Sequence, residues 1–257
     1  MVRRTLTTLC LALILGVQLP ASAFSTRTTA ALAHRHQHGK SVQKAPAVTL
    51  TAIARSPALE ARRYCQQGIS HLHRGLHAQA TAEFNAALSL RANYAEAYFG
   101  RALAYFLARD YERAIEDYTK AQSLYLADRD LANCYFNRAI AYASIGDYDL
   151  SIKDYTRTIR LSENFADAYF GRALAYEGKG ASEEAISDFA QAIALSPRNT
   201  TWHYYKAIAL EKLHHDQEAL EEYRQFIRLT SAATSLPDRE QLKLAQSKIQ
   251  DLESALE

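Results

Sequence analysis

The sequence predicts an all-α protein: an α-solenoid of about five helix–turn–helix units followed by a C-terminal capping helix. Helix breakers are scarce, with only 9 glycines and 5 prolines in 257 residues. The segment AYFGRALAY occurs at 97–105 and again at 168–176, and the related CYFNRAIAY lies at 134–142. One alanine of this pattern recurs after 37, 34 and 34 residues, which indicates a repeat of about 34 residues.

A basic and then apolar stretch at the start of the chain predicts a cleaved signal peptide over residues 1–23. Two arginines precede the apolar residues 5–19, and the small residues 21–23 form a cleavage site that leaves Phe24 as the first mature residue. A membrane anchor is the alternative, but the apolar stretch is short for a bilayer span. We therefore expect export to the periplasm or the extracellular space, with no stable membrane span after cleavage.

Residues 24–55 predict a flexible basic tether, because they contain five lysines or arginines, no acid and no apolar periodicity. The alternating His34, His36 and His38 raise the alternative of a metal site, but histidines without a cysteine or carboxylate partner more often form a solvated run. Residues 21–23 with the acid-free stretch also resemble the two-part leader of algae with secondary plastids. That alternative would place the protein in a plastid or a thylakoid lumen. A bacterial signal and tether account for the same residues more simply.

The repeat period divides the region 56–233 into five units. In order, they are residues 61–94, 95–128, 132–165, 166–199 and 200–233, with residues 129–131 as an insertion. Small residues recur at the eighth and twentieth positions of each unit, where two helices would approach closely. Aromatic residues recur at the fourth, eleventh and twenty-fourth positions, at helical spacing. The expected ends of the first helices are Gly75, Asp110, Gly146 and Gly180.

This pattern resembles the tetratricopeptide repeat family, and the resemblance covers 173 of the 257 residues. It is most similar to a bacterial exported type, such as a cyanobacterial one. The tyrosines at the fourth position, the alanines at the eighth and the aromatic residues at the twenty-fourth carry the resemblance. It implies stacked helical hairpins that bind another protein or a peptide. The seventh position departs from the family, because Arg or Lys replaces the usual Leu in four of the units.

The resemblance also implies a peptide-binding groove, lined by the first helix of each unit. Apolar side chains at the fifth and ninth positions would suit an extended or helical peptide. The family's clamp for peptide carboxylates needs Lys and Asn at these positions, so that clamp is disfavoured. The alternative is that the fifth position belongs to the core. The predicted groove residues are Phe99, Leu103, Phe136, Asn137, Ile140, Phe170, Leu174, Tyr204 and Ile208.

Basic residues at the seventh position and acidic residues at the twenty-third predict a ladder of ion pairs that fixes the helix register. Arginine suits such half-buried pairs because its planar guanidinium binds both carboxylate oxygens. A ligand-binding use of the arginines is the alternative. The predicted members are Arg101, Arg138, Arg172, Lys206, Asp117, Asp154, Asp188 and Glu222.

Residues 235–257 predict an amphipathic helix that caps the last repeat. Ser235 and Asp238 form a capping box. A coiled-coil dimer segment is the alternative, but about two heptads are short for one. The apolar stripe of this helix consists of Leu242, Ala245, Ile249, Leu252 and Leu256.

The motifs and charges favour a protein-binding scaffold or assembly adaptor over an enzyme. The sequence has no phosphate-binding glycine loop, HExxH, paired-cysteine zinc spacing or nucleophile elbow, so we expect no cofactor and no metal. Residues 1–59 hold seven bases and no acid, whereas the rest holds 23 bases and 28 acids. The repeats therefore lack the basic stripe of a nucleic-acid-binding protein. The alternative function is a self-assembling envelope protein, a homo-oligomer whose groove is filled by its own tether or by a second copy.

Overall fold

The computed structural model describes residues 56–124, 128–232 and 239–257, and every element within these ranges is an α-helix. These residues fall into two compact units, one up to residue 124 and one from residue 128 onward. Three predicted features lie outside the described residues: the signal peptide, the tether and the capping box before the last helix. No helix in the described ranges has the length and apolar character needed to cross a membrane.

The first unit contains two helical hairpins. Helices α1 and α2 form one hairpin, α3 and α4 form the other, and α2 packs against α3. The bounds are α1 (Pro57–His73), α2 (His77–Leu90), α3 (Ala95–Leu107) and α4 (Tyr111–Ser123).

The second unit contains three hairpins and a final helix. Each hairpin packs against the next, and the last helix, α11, packs against α10. The bounds are α5 (Asp128–Ile145), α6 (Tyr148–Leu161), α7 (Ala166–Lys179), α8 (Ser182–Leu195), α9 (Thr200–Lys212), α10 (Asp216–Ala232) and α11 (Arg239–Leu256). The predicted fold class, an all-α protein of stacked helical hairpins, is confirmed. The predicted insertion at 129–131 lies inside α5, which has 18 residues against 14 in α7.

Small residues let the two helices of each hairpin approach closely, as the repeat pattern predicts. An aromatic ring at the twenty-fourth position fills the space beside them. At Gly68 an added Cβ would lie only 2.8 Å from Cζ of Phe84, so a hydrogen atom is all that fits there. The alanines at the eighth and twentieth positions are all fully buried: Ala80, Ala102, Ala114, Ala139, Ala173, Ala185, Ala207 and Ala219.

The first helix of each hairpin ends at a residue with positive φ. Three of these residues are glycines, but the other two are Arg109, with φ of 64°, and His214, with φ of 57°. The expectation that Asp110 ends its helix is wrong by one residue. Asp110 instead begins α4, because its carboxylate accepts a hydrogen bond from the backbone N–H of Arg113 at 3.2 Å.

Candidate functional site

The predicted basic and acidic ladder residues meet inside the second, third, fourth and fifth hairpins. Each arginine donates from Nε and Nη2 to both oxygens of one aspartate, and the last hairpin uses a lysine and a glutamate. The distances are 2.6 and 2.7 Å for Arg101–Asp117, 2.7 and 3.0 Å for Arg138–Asp154, 2.6 and 2.8 Å for Arg172–Asp188, and 2.7 Å for Lys206–Glu222.

Two arginines also reach the hairpin before their own. Arg101 donates from Nη1 to the side-chain oxygen of Asn85 on α2 at 2.6 Å. Arg172 donates from Nη1 to Oγ1 of Thr156 on α6 at 3.0 Å. Each of these side chains therefore joins three helices. Since these bonds occupy the guanidinium groups, the ligand-binding alternative for the arginines gains no support.

Tyrosine rings flank the arginines of the ladder. This contact is an addition to the ion pairs predicted from the sequence. Arg138 lies between Tyr135 and Tyr142, with Cζ 5.6 and 5.8 Å from the two ring centroids. Such cation–π contacts stabilise a partly desolvated guanidinium. The available signal was the spacing, because the fourth, seventh and eleventh positions share one face of a helix. The same arrangement places Arg101 at 5.3 and 5.9 Å from the centroids of Tyr98 and Tyr105.

Burial and pairing act in opposite directions on the charged groups of this ladder. Burial lowers the pKa of Arg138, but the hydrogen bonds and the charge of Asp154 more than offset it, and the net shift is upward. Burial also disfavours the Glu222 carboxylate. Hydrogen bonds from His203 at 2.6 Å and from Lys206 at 2.7 Å nevertheless hold its pKa below the usual value.

Most predicted groove residues lie in the core. Phe99 and Ile208 are half-buried. The exposed apolar groove that the resemblance implied is therefore absent from the described residues, and the expectation for the buried side chains is wrong. The buried members are Leu103, Phe136, Asn137, Ile140, Phe170, Leu174 and Tyr204.

Contacts with the next hairpin explain this burial. The ring of Phe136 stacks on Phe165, which precedes α7, with 4.8 Å between centroids. Phe170 packs in the same way against Trp202 of α9 at 5.7 Å. The fifth-position aromatic rings therefore fill the gap between successive hairpins, which is the core alternative for this position.

An open cavity remains where the last hairpin meets α11. Its volume is about 270 Å³. Aromatic rings, aliphatic side chains and charged groups all contribute to its lining. Two of the predicted groove residues are among its lining, which comprises Tyr204, Ile208, Glu211 and Lys212 from α9, Tyr223 from α10, and Leu244 and Lys248 from α11.

Glu211 organises the polar side of this cavity. It accepts hydrogen bonds from the hydroxyl of Tyr223 at 3.0 Å and from the ammonium of Lys248. Burial, followed by the Glu211 charge, raises the pKa of Tyr223. Lys212 pairs with Glu177 of α7. The repeat pattern could not predict Leu244 or Lys248 as lining residues, since neither belongs to a repeat.

The described residues contain no candidate metal site. No group of three or more His, Cys, Asp or Glu side chains there is arranged to hold a metal ion. A second cavity, of about 360 Å³, lies at the α9–α10 turn beside His214 and His215. Cys65 and Cys134 are buried and form no disulfide bond with each other. Burial raises the pKa of Cys65 to about 12, which keeps this thiol protonated at neutral pH.

Family models describe the repeated part of the chain. Two models, each described as a tetratricopeptide repeat, match this sequence. One matches residues 136–200 and 182–234, and the other matches residues 93–164. Together they span more than half of the chain. No curated protein matches the sequence.

Several solved structures share the fold. MamA from Desulfovibrio magneticus RS-1, from its residue 41 to the end, has 20% identity and a TM-score of 0.64, covering 68% of this chain and 98% of that one. YrrB, a tetratricopeptide repeat protein with an unusual peptide-binding site, has 20% identity and a TM-score of 0.63, with coverage of 78% and 100%. A further MamA structure has 21% identity and a TM-score of 0.62, with coverage of 70% and 97%. At these identities the likeness concerns the fold alone.

Proposed function

Because this chain belongs to the tetratricopeptide repeat family, we propose that it binds another protein and acts as a scaffold or assembly adaptor. The stacked hairpins support a binding role, since each repeat adds a further element of surface without needing a catalytic centre. YrrB is described as having a peptide-binding site, and its fold resembles this chain. That likeness supports a peptide or a protein segment as the ligand class.

The open cavity at the end of the second unit is the observation that carries this proposal. Tyr204 and Ile208 are predicted groove residues that reach it, while most of the others are buried. A volume of about 270 Å³ lies below the range of pockets for drug-sized molecules, so it suits one side chain of a peptide rather than a cofactor. Leu244, which is 49% exposed, supplies the most accessible apolar surface. Glu211 and the two lysines can pair with polar groups that flank the inserted side chain.

Affinity capture from the native compartment tests the proposal, with bound proteins quantified by mass spectrometry. The Leu244→Glu variant should lose at least about tenfold of the captured partner, because a charge replaces an apolar contact in the cavity. Leu256→Glu is the matched control. It lies on the same helix, is 47% exposed and lines a different cavity. Equal capture by wild type and Leu244→Glu would contradict this binding site. Capture of further copies of the chain alone would favour the self-assembling alternative.

We further propose that the protein acts after export and without catalysing a reaction. The basic and apolar pattern of residues 1–23 supports export by a signal peptide, to the periplasm or the extracellular space. The pairing of the ladder residues and the protonated thiol of Cys65 support a non-catalytic role, since neither group is available as an acid, a base or a nucleophile.

A further inference from the structure

Stacked aromatic rings join successive hairpins of the second unit. Phe136 of α5 stacks on Phe165, which precedes α7, with 4.8 Å between ring centroids and 23° between ring planes. Phe170 of α7 stacks on Trp202 of α9 with 5.7 Å and 25°. In both cases the next hairpin supplies the ring that covers the fifth-position ring of the hairpin before it. Aromatic pairs of this kind stabilise an interface beyond the effect of their buried area.

In the fifth repeat the following helix has no ring to add. Tyr204 occupies the fifth position of this repeat and packs against Tyr223 and Phe226 of α10, with 6.1 and 5.2 Å between centroids. Residues 227–257 contain no aromatic residue. Helix α11, which packs next to this hairpin, therefore cannot cover Tyr204 with a ring as α9 covers Phe170.

Helix α11 otherwise follows the pattern of a further repeat. Lys212 of α9 pairs with Glu177 of α7, and Lys248 of α11 pairs with Glu211 of α9 in the same way. Glu177 and Glu211 occupy the same repeat position, 34 residues apart. The polar contacts between successive helices thus continue to the end of the second unit, whereas the stacking between hairpins does not.

The open cavity of about 270 Å³ lies where this stacking ends. Its apolar lining includes Tyr204, Ile208 and Leu244. A cavity of roughly 150 Å³ holds a benzene ring, so this one has room for the side chain of a phenylalanine, tyrosine or tryptophan. Lys212 and Lys248 line the same cavity, and a cation beside the face of a ring favours an aromatic over an aliphatic occupant.

The described surface of the protein offers no ring that a second copy could insert. Every aromatic residue within the described ranges is buried or half-buried. Since insertion needs a side chain that projects from its own protein, an exposed segment of another protein is the better source of the ring.

We propose that this cavity accepts an aromatic side chain of a partner protein, which stacks against Tyr204 as Trp202 stacks on Phe170. The partner segment therefore contains an exposed phenylalanine, tyrosine or tryptophan that extends the stacking of rings along the second unit. This deepens the proposed binding function and rests on it, because it names the chemistry of the side chain that the cavity recognises.

Methyl NMR of the full chain, labelled with ¹³C at the isoleucine and leucine methyl groups, tests this preference. The probe is the capped peptide Gly-Ser-Trp-Ser-Gly, and the control peptide has leucine in place of tryptophan. We expect the tryptophan peptide to shift the methyl signals of Ile208 and Leu244 upfield in a saturable way, because a ring current acts on neighbouring methyl groups. The signals of Leu256, which is 47% exposed and lines a different cavity, should stay in place. Half-saturation with the leucine peptide should need at least about threefold more peptide.

Two results of this titration would overturn the proposal. One is equal half-saturation by the two peptides, or shifts that are as large at Leu256 as at Leu244. The other is the absence of a saturable shift with the tryptophan peptide. Free indole is the third probe, and saturable binding of indole in that second case would indicate a small aromatic molecule as the ligand.

A ring supplied by the chain itself gives an independent test. Leu244→Trp places an indole on α11 at the cavity, so the urea midpoint should rise. Half-saturation by the tryptophan peptide should then need at least about tenfold more peptide, because the space is already filled. Leu256→Trp is the matched control and should change neither quantity. A lower midpoint for Leu244→Trp beside an unchanged Leu256→Trp would show that the cavity does not hold a ring, and would overturn the proposal.

The proposed function is decided separately by affinity capture. If capture finds no partner while the tryptophan peptide binds beside Leu244, the proposed function fails and the aromatic specificity of the cavity stands. If capture depends on Leu244 but the two peptides bind equally, the proposed function stands and the aromatic specificity fails.

Discussion

At the residue scale, ion pairs replace an apolar contact between the two helices of four of the five described hairpins. In the third repeat the side chains of Arg138 and Asp154 are only 8% and 2% exposed. Removing two charges from water to this extent carries a large desolvation cost. The pair is stable only because several neighbouring groups offset that cost. Asp154 also accepts a hydrogen bond from Arg157 at 3.0 Å, and two tyrosine rings cover the guanidinium.

Removal of one partner should therefore be costly. Arg138→Ala leaves the buried Asp154 carboxylate with only its Arg157 contact, and we expect a loss of about 3 kcal/mol in the free energy of unfolding. Urea denaturation measures this loss. Arg63→Ala is the control. Its pair with Glu60 is 60% and 45% exposed, so its removal should cost less than about 1 kcal/mol. Equal small losses in both variants would show that Arg138 does not stabilise its hairpin.

The last repeat should be acid-sensitive through Glu222. Since its folded-state pKa lies below the ordinary value of about 4.3, the carboxylate adds stability that is fully present above that value. This stability is lost as the pH falls through the lower folded-state pKa. Urea midpoints between pH 7 and pH 3 measure the effect. Glu222→Gln should lower the midpoint at pH 7 and flatten its decline in acid. A decline of unchanged steepness would assign the acid sensitivity to other carboxyls.

At the element scale, the fifth-position aromatic rings join one hairpin to the next. Phe136 contacts Tyr155 of its own hairpin as well as Phe165 at the start of the following one. An isolated hairpin could not bury this ring, so stability depends on the interface between neighbours. Such a ring cannot also offer its surface to a partner.

Phe136→Ala should consequently act on stability. Truncation of a fully buried ring leaves a cavity, and we expect a loss of about 3–5 kcal/mol in the free energy of unfolding. Phe99→Ala is the matched control, because Phe99 occupies the same repeat position but is half-buried. Its loss should be clearly smaller in the same denaturation experiment. If Phe136→Ala weakened partner binding but left stability unchanged, the fifth position would contact a partner and would not be part of the core.

At the scale of the whole molecule, charge separates the start of the chain from its repeats. Seven bases and no acid lie in residues 1–59, and the acids exceed the bases in the remainder. This asymmetry supports the proposed export of the protein, because a basic start followed by an apolar stretch is typical of a signal peptide.

Export should leave a defined N-terminus. If residues 1–23 are removed as proposed, intact-mass and N-terminal peptide analysis of protein from fractionated cells should find Phe24 as the first residue. An Ala23→Arg variant, which disturbs the cleavage site, should retain the leader and give a heavier chain. Native protein that still carries Met1 would contradict cleavage. The start would then serve as an anchor or as an internal segment.

The repeat period alone was enough to predict the all-α hairpins, the alanines between paired helices and the basic and acidic residues that pair across them. These features depend on spacing along the chain. Residues three, four or seven apart share a face of a helix, regardless of what packs against that face. The exposure of each face was decided only by the tertiary structure. The sequence pattern of Phe136 and Phe170 suits a groove residue as well as a core residue. Their contacts with the next hairpin place them in the core. Leu244 and Lys248 complete the cavity from a helix outside the repeats, because long-range packing brings together residues that no sequence period relates.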